Sequence, residues 1–203
     1  MSPYDIVDEL EKRVAAYGGS KYAVAVDSCT NALLLCLKWH FYTHGASEVI
    51  LPRRTYVGVA YAVINAGGWC RFEENNWQGA YRIGGTNIVD SARRFTKGMY
   101  EPDTLYCLSC HWSKTLKIGR GGFILTDDSN IAEALRKMRF DGRTAGVAPA
   151  LDTFTLPGYH CYQLPEEAAR GLMLMQSMPD HNEDIPWDHY PDLSKFTIFT
   201  VRQ

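Results

Sequence analysis

Apolar residues recur at helical spacing through "YDIVDELEKRVAAY" and stop at Gly18-Gly19, which predicts an amphipathic first helix. Ser2 before Pro3 supplies an N-cap with proline at the first helical position. "KYAVAVD" (21–27) then reads as a short apolar strand. It runs through "SCTN" into the helical stretch "ALLLCLKWHFYTH". The alternation repeats with "EVILP" (48–52) as strand and "TYVGVAYAVINAGG" as helix, closed by Gly67-Gly68. "WCRFEE", "TNIVDSA" (86–92), "LYCLSCH" and "GGFILTDD" read as four further strands. "DSNIAEALRKMRFDG" is a capped helix, with Asp128 or Ser129 at its start, basic residues in its last turn and Gly142 beyond. "QLPEEAARGLMLMQSMP" is another amphipathic helix. After Pro179 the chain turns polar and proline-punctuated, and it ends on a strand-like "FTIFTV".

Short apolar strands without clean alternation, separated by helices, predict an α/β fold. Its expected form is three layers, a mostly parallel sheet with helices on both faces. In such sheets ligands sit beyond the carboxyl ends of the strands. Residues 1–178 are expected to form one domain and 179–203 an extension of it.

Composition narrows the function classes. The chain has 203 residues, and a formal charge of −2 gives no electrostatic case for nucleic acid or an acidic membrane surface. No apolar run approaches the roughly 20 residues that span a bilayer. The acidic first helix is unlike an export signal, so a cytoplasmic location is expected, with the six cysteines as reduced thiols.

That expectation bears on "CLSCH" (107–111), which spells the C-x-x-C-H signature of haem attachment. Attachment of that kind takes place outside the cytoplasm in most cells, and the segment reads as a buried strand. No second Cys/His cluster offers metal-ligand spacing, so Cys107 and Cys110 are read as small core residues and no metal is expected.

Other residues at strand ends carry more chemistry. Ser28-Cys29-Thr30, between a strand and a helix, offers free N–H groups and two hydroxyls, a phosphate cradle supported by the helix dipole. Alone it is weak, because Ser and Thr cap many helices that bind nothing. Asp90 closes the strand "NIVD"; taken singly it is as easily a cap or a surface turn. Lys114 follows the strand "LYCLSCH", near Ser109 and Ser113 and before a glycine-rich turn. Most lysines are solvated surface charges, but this placement suits a Schiff-base lysine. Phosphate cradle, aspartate for a pyridine nitrogen and lysine for an aldehyde together match the needs of pyridoxal 5'-phosphate, and Tyr56 supplies a ring to stack on it.

With these segments in order, the chain resembles the DegT-type sugar aminotransferases, pyridoxal-phosphate enzymes of fold type I. "KYAVAVDSCTNALLL", "SEVILPRRTYVGVAYAVINAGG", "NIVDSARRF", "LSCHWSKTLKIGRGGFILTDD" and "PGYHCYQLPEEAARGL" carry the resemblance from about Tyr4 to Met178. It places Lys114 on the Schiff-base lysine and Asp90 on the partner of the pyridine nitrogen. Ser109 falls on the phosphate-binding serine and Tyr56 on the stacking aromatic. Arg93 falls beside the cofactor's phenolic oxygen. His160 takes the place of an asparagine that reaches the phosphate of a neighbouring subunit's cofactor.

The resemblance implies a homodimer with shared active sites. It also implies transfer of an amino group from an amino acid, by family habit L-glutamate, to a keto sugar, such as a nucleotide-linked 4-keto-6-deoxy sugar. Departures from the pattern are Cys29 for a cradle glycine, Tyr162 for an arginine and Arg120 for an acidic residue. Residues 179–203 stand where relatives carry a small domain, so the chain is expected to be a shortened form. Two alternatives stay open: an aminotransferase acting on a different carbonyl compound, and a subunit that binds pyridoxal phosphate or a sugar nucleotide without turnover.

Overall fold

The fold was obtained as a computed structural model that describes residues 4–186 and 189–201. Ser2 and Pro3, the expected cap of the first helix, lie outside the described residues. That helix, α1 (Asp5–Gly18), ends where Gly19 adopts φ 91° and returns its N–H to the carbonyl of Ala15. Strand β1 (Tyr22–Val26) leads through the N-cap Ser28 into α2 (Cys29–His44). β2 (Glu48–Pro52), α3 (Val57–Ala66) and β3 (Trp69–Glu73) follow. Next come the two-residue β4 (Tyr81–Arg82), β5 (Ile88–Asp90), β6 (Leu105–Ser109) and β7 (Gly122–Thr126). Helices α4 (Ser129–Arg139), α5 (Pro165–Met175) and the single turn α6 (Thr197–Thr200) complete the chain.

The main sheet has the order β1-β7-β6-β5-β4, and β2 and β3 form a second, two-stranded sheet. Backbone hydrogen bonds of 3.0 and 2.9 Å between Ile50 and Gly84 tie that pair to the main sheet. Side chains leave the sheet alternately to two sides, as the period of a strand requires. Val24, Val26, Cys107 and Ile124 join α2, α3 and α4 in one apolar cluster. Ala23, Ala25, Tyr106, Phe123 and Leu125 join α1 and α5 in the other. Three layers with helices on both faces are therefore present, as expected. α2 is apolar around most of its girth because it packs on the sheet and on α3 and α4 together.

Two expectations need correction. The sheet is mixed, not mostly parallel. β5–β6 and β2–β3 pair in parallel, but β1–β7, β6–β7 and β4–β5 are antiparallel. Between β6 and β7 the chain has a loop and no crossover helix, so β7 returns beside β6. A strand buried on both faces looks alike whichever way it runs, so burial conceals direction. The second correction is the terminal "FTIFTV", which is the helical turn α6 and not a strand. Phe199 is turned into the core, edge-on to Tyr61 with ring centroids 5.0 Å apart.

The C-terminal segment is tied back to the α/β body. Arg94 Nη2 holds Asp184 at 2.7 Å and Arg53 Nη2 holds Asp192 at 2.6 Å. Leu193 is buried in the cluster formed with α2 and α3. Among the described residues no helix is long and apolar enough to cross a membrane.

Candidate active site

β7 is antiparallel to both of its neighbours, so β1, β5 and β6 point the same way. A cavity of about 410 Å³ opens beyond their carboxyl ends. That volume lies within the range of about 300–1,000 Å³ typical of small-molecule sites. Ser28, Cys29, Thr30, Tyr56, Asp90, Arg93, Ser109 and Lys114 all line it. Residues scattered over 87 positions of sequence are thus gathered on one wall system.

Ser28 caps α2, its Oγ accepting the Asn31 N–H at 3.2 Å. The turn at Ser28-Cys29 is pressed onto the start of β7. A Cβ on Gly122 would lie 2.7 Å from Cys29 N and from Leu108 O, so only glycine fits there. Burial, and after it the Asp90 charge, pushes the Cys29 thiol well up, which keeps it protonated. Arg120 closes the other side, its Nη2 2.7 Å from Asp27 Oδ2.

The lysine sits in the loop between β6 and β7. Cys110 N–H bonds Gly121 O at 2.9 Å and Gly119 N–H bonds Cys110 O at 3.0 Å, which closes the loop at its base. Buried Leu116 and Ile118 anchor it in the cluster under α1 and α5. Lys114 N–H bonds His111 O at 2.8 Å in the turn that presents its side chain to the cavity. Cys107 and Cys110 are buried on opposite faces of the sheet, Cys107 with α2 and Cys110 with α1 and α5. Their side chains cannot share one haem edge. Among the described residues no group of three or more His, Cys, Asp or Glu could hold a metal ion.

Asp90 is the most constrained group. It is 5% exposed and accepts the Ala92 N–H at 3.0 Å and the Tyr81 hydroxyl at 2.9 Å. β4 pairs Tyr81 directly opposite Asp90, which places the phenol beside the carboxylate. Burial, and after it the Asp90 charge, pushes the Tyr81 pKa well up, so the phenol stays a donor. Thr55, 2.6 Å away, then donates to the phenolic oxygen. Burial raises the Asp90 pKa, and the two hydrogen bonds and the charges of Lys114 and Arg93 oppose that rise. Among the described residues Asp90 forms no salt bridge. A buried carboxylate facing a cavity without an ion-pair partner is a socket for a cation.

Aromatic rings complete the wall. Tyr56, at the N-terminus of α3, lies 54% exposed in the mouth. Gly58 leaves room for it, since a Cβ there would lie 2.6 Å from the Tyr56 ring and 3.0 Å from Thr30 Oγ1. Trp77 and Tyr190 also line the cavity, stacked at 6.4 Å with an 18° interplanar angle.

His160 is not part of the cavity. It is exposed and its Nδ1 lies 2.9 Å from Asp141 Oδ2. Sequence reasoning missed Thr55, Trp77, Tyr81 and Tyr190. The isolated tryptophan and tyrosine just before a predicted strand were the only signal for Trp77 and Tyr81. Tyr190 had none.

Comparisons with known proteins bear on the fold and on the family resemblance. Residues 1–75 match the DegT/DnrJ/EryC1/StrS aminotransferase family. The spore coat polysaccharide biosynthesis protein SpsC of Bacillus subtilis is 24% identical, over 86% of this chain and 57% of SpsC. Among solved structures, AtS13 from Actinomadura melliaura superposes with a TM-score of 0.73 at 16% identity, covering 85% of this chain and 60% of its own. The sugar aminotransferase CalS13 from Micromonospora echinospora gives 0.71 at 15% identity, with 85% and 60% coverage. The chain spans less than two thirds of the length of these relatives. The resemblance to the DegT-type family is carried by residues 1–75, and the fold is that of these solved structures.

Proposed function

We propose that this chain is a pyridoxal-phosphate-dependent aminotransferase acting on a sugar. The observation that carries the reading is the buried Asp90 carboxylate, facing a cavity that also presents Lys114. A protonated pyridine nitrogen is the cation such a socket accepts. The hydroxyls of Ser28, Thr30 and Ser109 and the N–H groups opening α2 suit the phosphate, and Tyr56 suits a stacking ring. When bound, pyridoxal phosphate supplies an electron sink for a substrate losing its alpha proton.

Each residue then has a physical task. Lys114 would hold the cofactor at its aldehyde, and its amino group, when free, would take and return the substrate's alpha proton. Asp90 would hold the pyridine nitrogen and favour a proton on it, with Tyr81 and Ala92 fixing its oxygens. The protonated Cys29 is a neutral wall.

L-glutamate as donor and a nucleotide-linked keto sugar as acceptor are the preferred substrates, and the sugar-related names of SpsC and CalS13 support the class. Residues 1–178 are proposed as the cofactor-binding domain, with 179–203 as its extension, in a cytoplasmic homodimer. Exposed His160 would reach across to the neighbour's site. A stable monomer by light scattering would rule out that sharing.

Reduction of the cofactor-loaded protein with borohydride, followed by peptide mass mapping, tests the assignment. Label on Lys114 is expected; label on another lysine, or none, would overturn it.

A further inference from the structure

Arg93 is 8% exposed, lines the cavity, and has neutral hydrogen-bond partners. Its Nε and Nη2 donate to the Tyr190 hydroxyl at 3.1 and 2.8 Å, and its Nη1 donates to the Pro186 carbonyl. Its guanidinium carbon stands 5.2 Å from the Tyr190 ring centroid. Among the described residues it forms no salt bridge. A guanidinium has five N–H donors, and these three bonds leave two of them. The other charges on the lining are Asp90, Lys114 and Arg120, of which Arg120 is paired with Asp27. With Lys114 and Asp90 engaged by the cofactor and Arg120 by Asp27, Arg93 would be the lining cation that meets the carboxylate of a donor.

Tyr190 comes from the C-terminal segment and is fixed on several sides. Its carbonyl accepts from Arg54 at 3.2 Å, and its ring lies between Trp77 and Tyr56, at 6.4 and 6.5 Å. Asp184 and Asp192, held by Arg94 and Arg53, pin the segment on either side.

We infer that Arg93 binds a carboxylate of the amino donor, and that Tyr190 is the positioning residue that holds its guanidinium toward the cavity. A planar fork matches a carboxylate with two parallel hydrogen bonds. The inference rests on the aminotransferase reading, but binding alone tests it.

Titration calorimetry of the cofactor-loaded protein would use glutarate, a dicarboxylate with no amino group to transfer, and the neutral glutaramide as control. Uridine diphosphate tests a phosphate source for the same anion chemistry. Arg93→Gln is expected to weaken glutarate about tenfold or more, since it removes charge-assisted hydrogen bonds, and to leave glutaramide unchanged. Arg93→Lys, keeping the charge without the fork, should fall between. Tyr190→Phe should weaken glutarate about threefold, again without effect on glutaramide.

Wild-type protein that fails to bind glutarate, or equal glutarate affinity in wild type and Arg93→Gln, would overturn the inference. So would a loss confined to uridine diphosphate, or parallel losses for glutarate and glutaramide. Failure to load cofactor at all would instead sink the aminotransferase reading, so the two failures are distinguishable.

Discussion

Asp90 is a buried carboxylate whose ionisation works against the fold. Its pKa is raised in the folded chain by burial, so the ionised form costs the fold free energy. The contribution is fully favourable below the unfolded value near 3.9 and is lost as pH rises through the folded value. Without cofactor, Asp90→Asn is therefore expected to melt higher than wild type at pH 7. On the order of 1 kcal/mol, it is a rise of about 2–4 °C for a chain of this size. The difference should shrink below about pH 4. With pyridoxal phosphate bound the order should reverse, because the amide offers no charge to a protonated ring. Thermal melts with and without cofactor check this; a cofactor-free wild type that melts above Asp90→Asn at pH 7 would contradict it.

Residues of this kind were legible where function sits on a turn next to a strand end. Ser28, Asp90, Ser109 and Lys114 each follow or close an apolar run, and the fold brings all four to the cavity wall. Tyr81, Thr55 and Tyr190 were not legible, because their meaning lies in contacts across the fold. Tyr190 reaches Arg93 over 97 residues, and no local pattern encodes such a pair.

Among the elements, helices and most strands were legible from spacing and caps, while strand direction was not. The antiparallel course of β7 follows from the lack of a crossover helix after β6. The loop that takes its place carries Lys114 and brings it to the cavity, so the misread topology and the lysine's position share one cause.

The C-terminal segment makes its own prediction. Arg53, and then Ser194, hold the Asp192 carboxyl well below the usual carboxylate range. Its stabilising contribution is present above the unfolded value near 3.9 and is lost as pH falls through the folded one. The segment should loosen in acid before the core does. Limited proteolysis at descending pH should cut between Pro179 and Lys195 first, and Asp192→Asn should show that cutting already at pH 7. Equal resistance of the variant and wild type at pH 7 would argue that Leu193 and Phe199, buried in the core, hold the segment without the ion pair.

At the scale of the whole molecule, three layers bring the ends of β1, β5 and β6 together around a cavity that the C-terminal segment helps to line. Its lining combines a buried anion, a lysine and a cradle of hydroxyls, a set that suits pyridoxal phosphate. The most direct test of that claim is the visible spectrum of the purified protein with pyridoxal phosphate, before and after L-glutamate. A band from cofactor joined to the protein, absent in Lys114→Ala and lost on adding glutamate to wild type, is the predicted result. A wild-type spectrum no different from that of free pyridoxal phosphate would contradict the account.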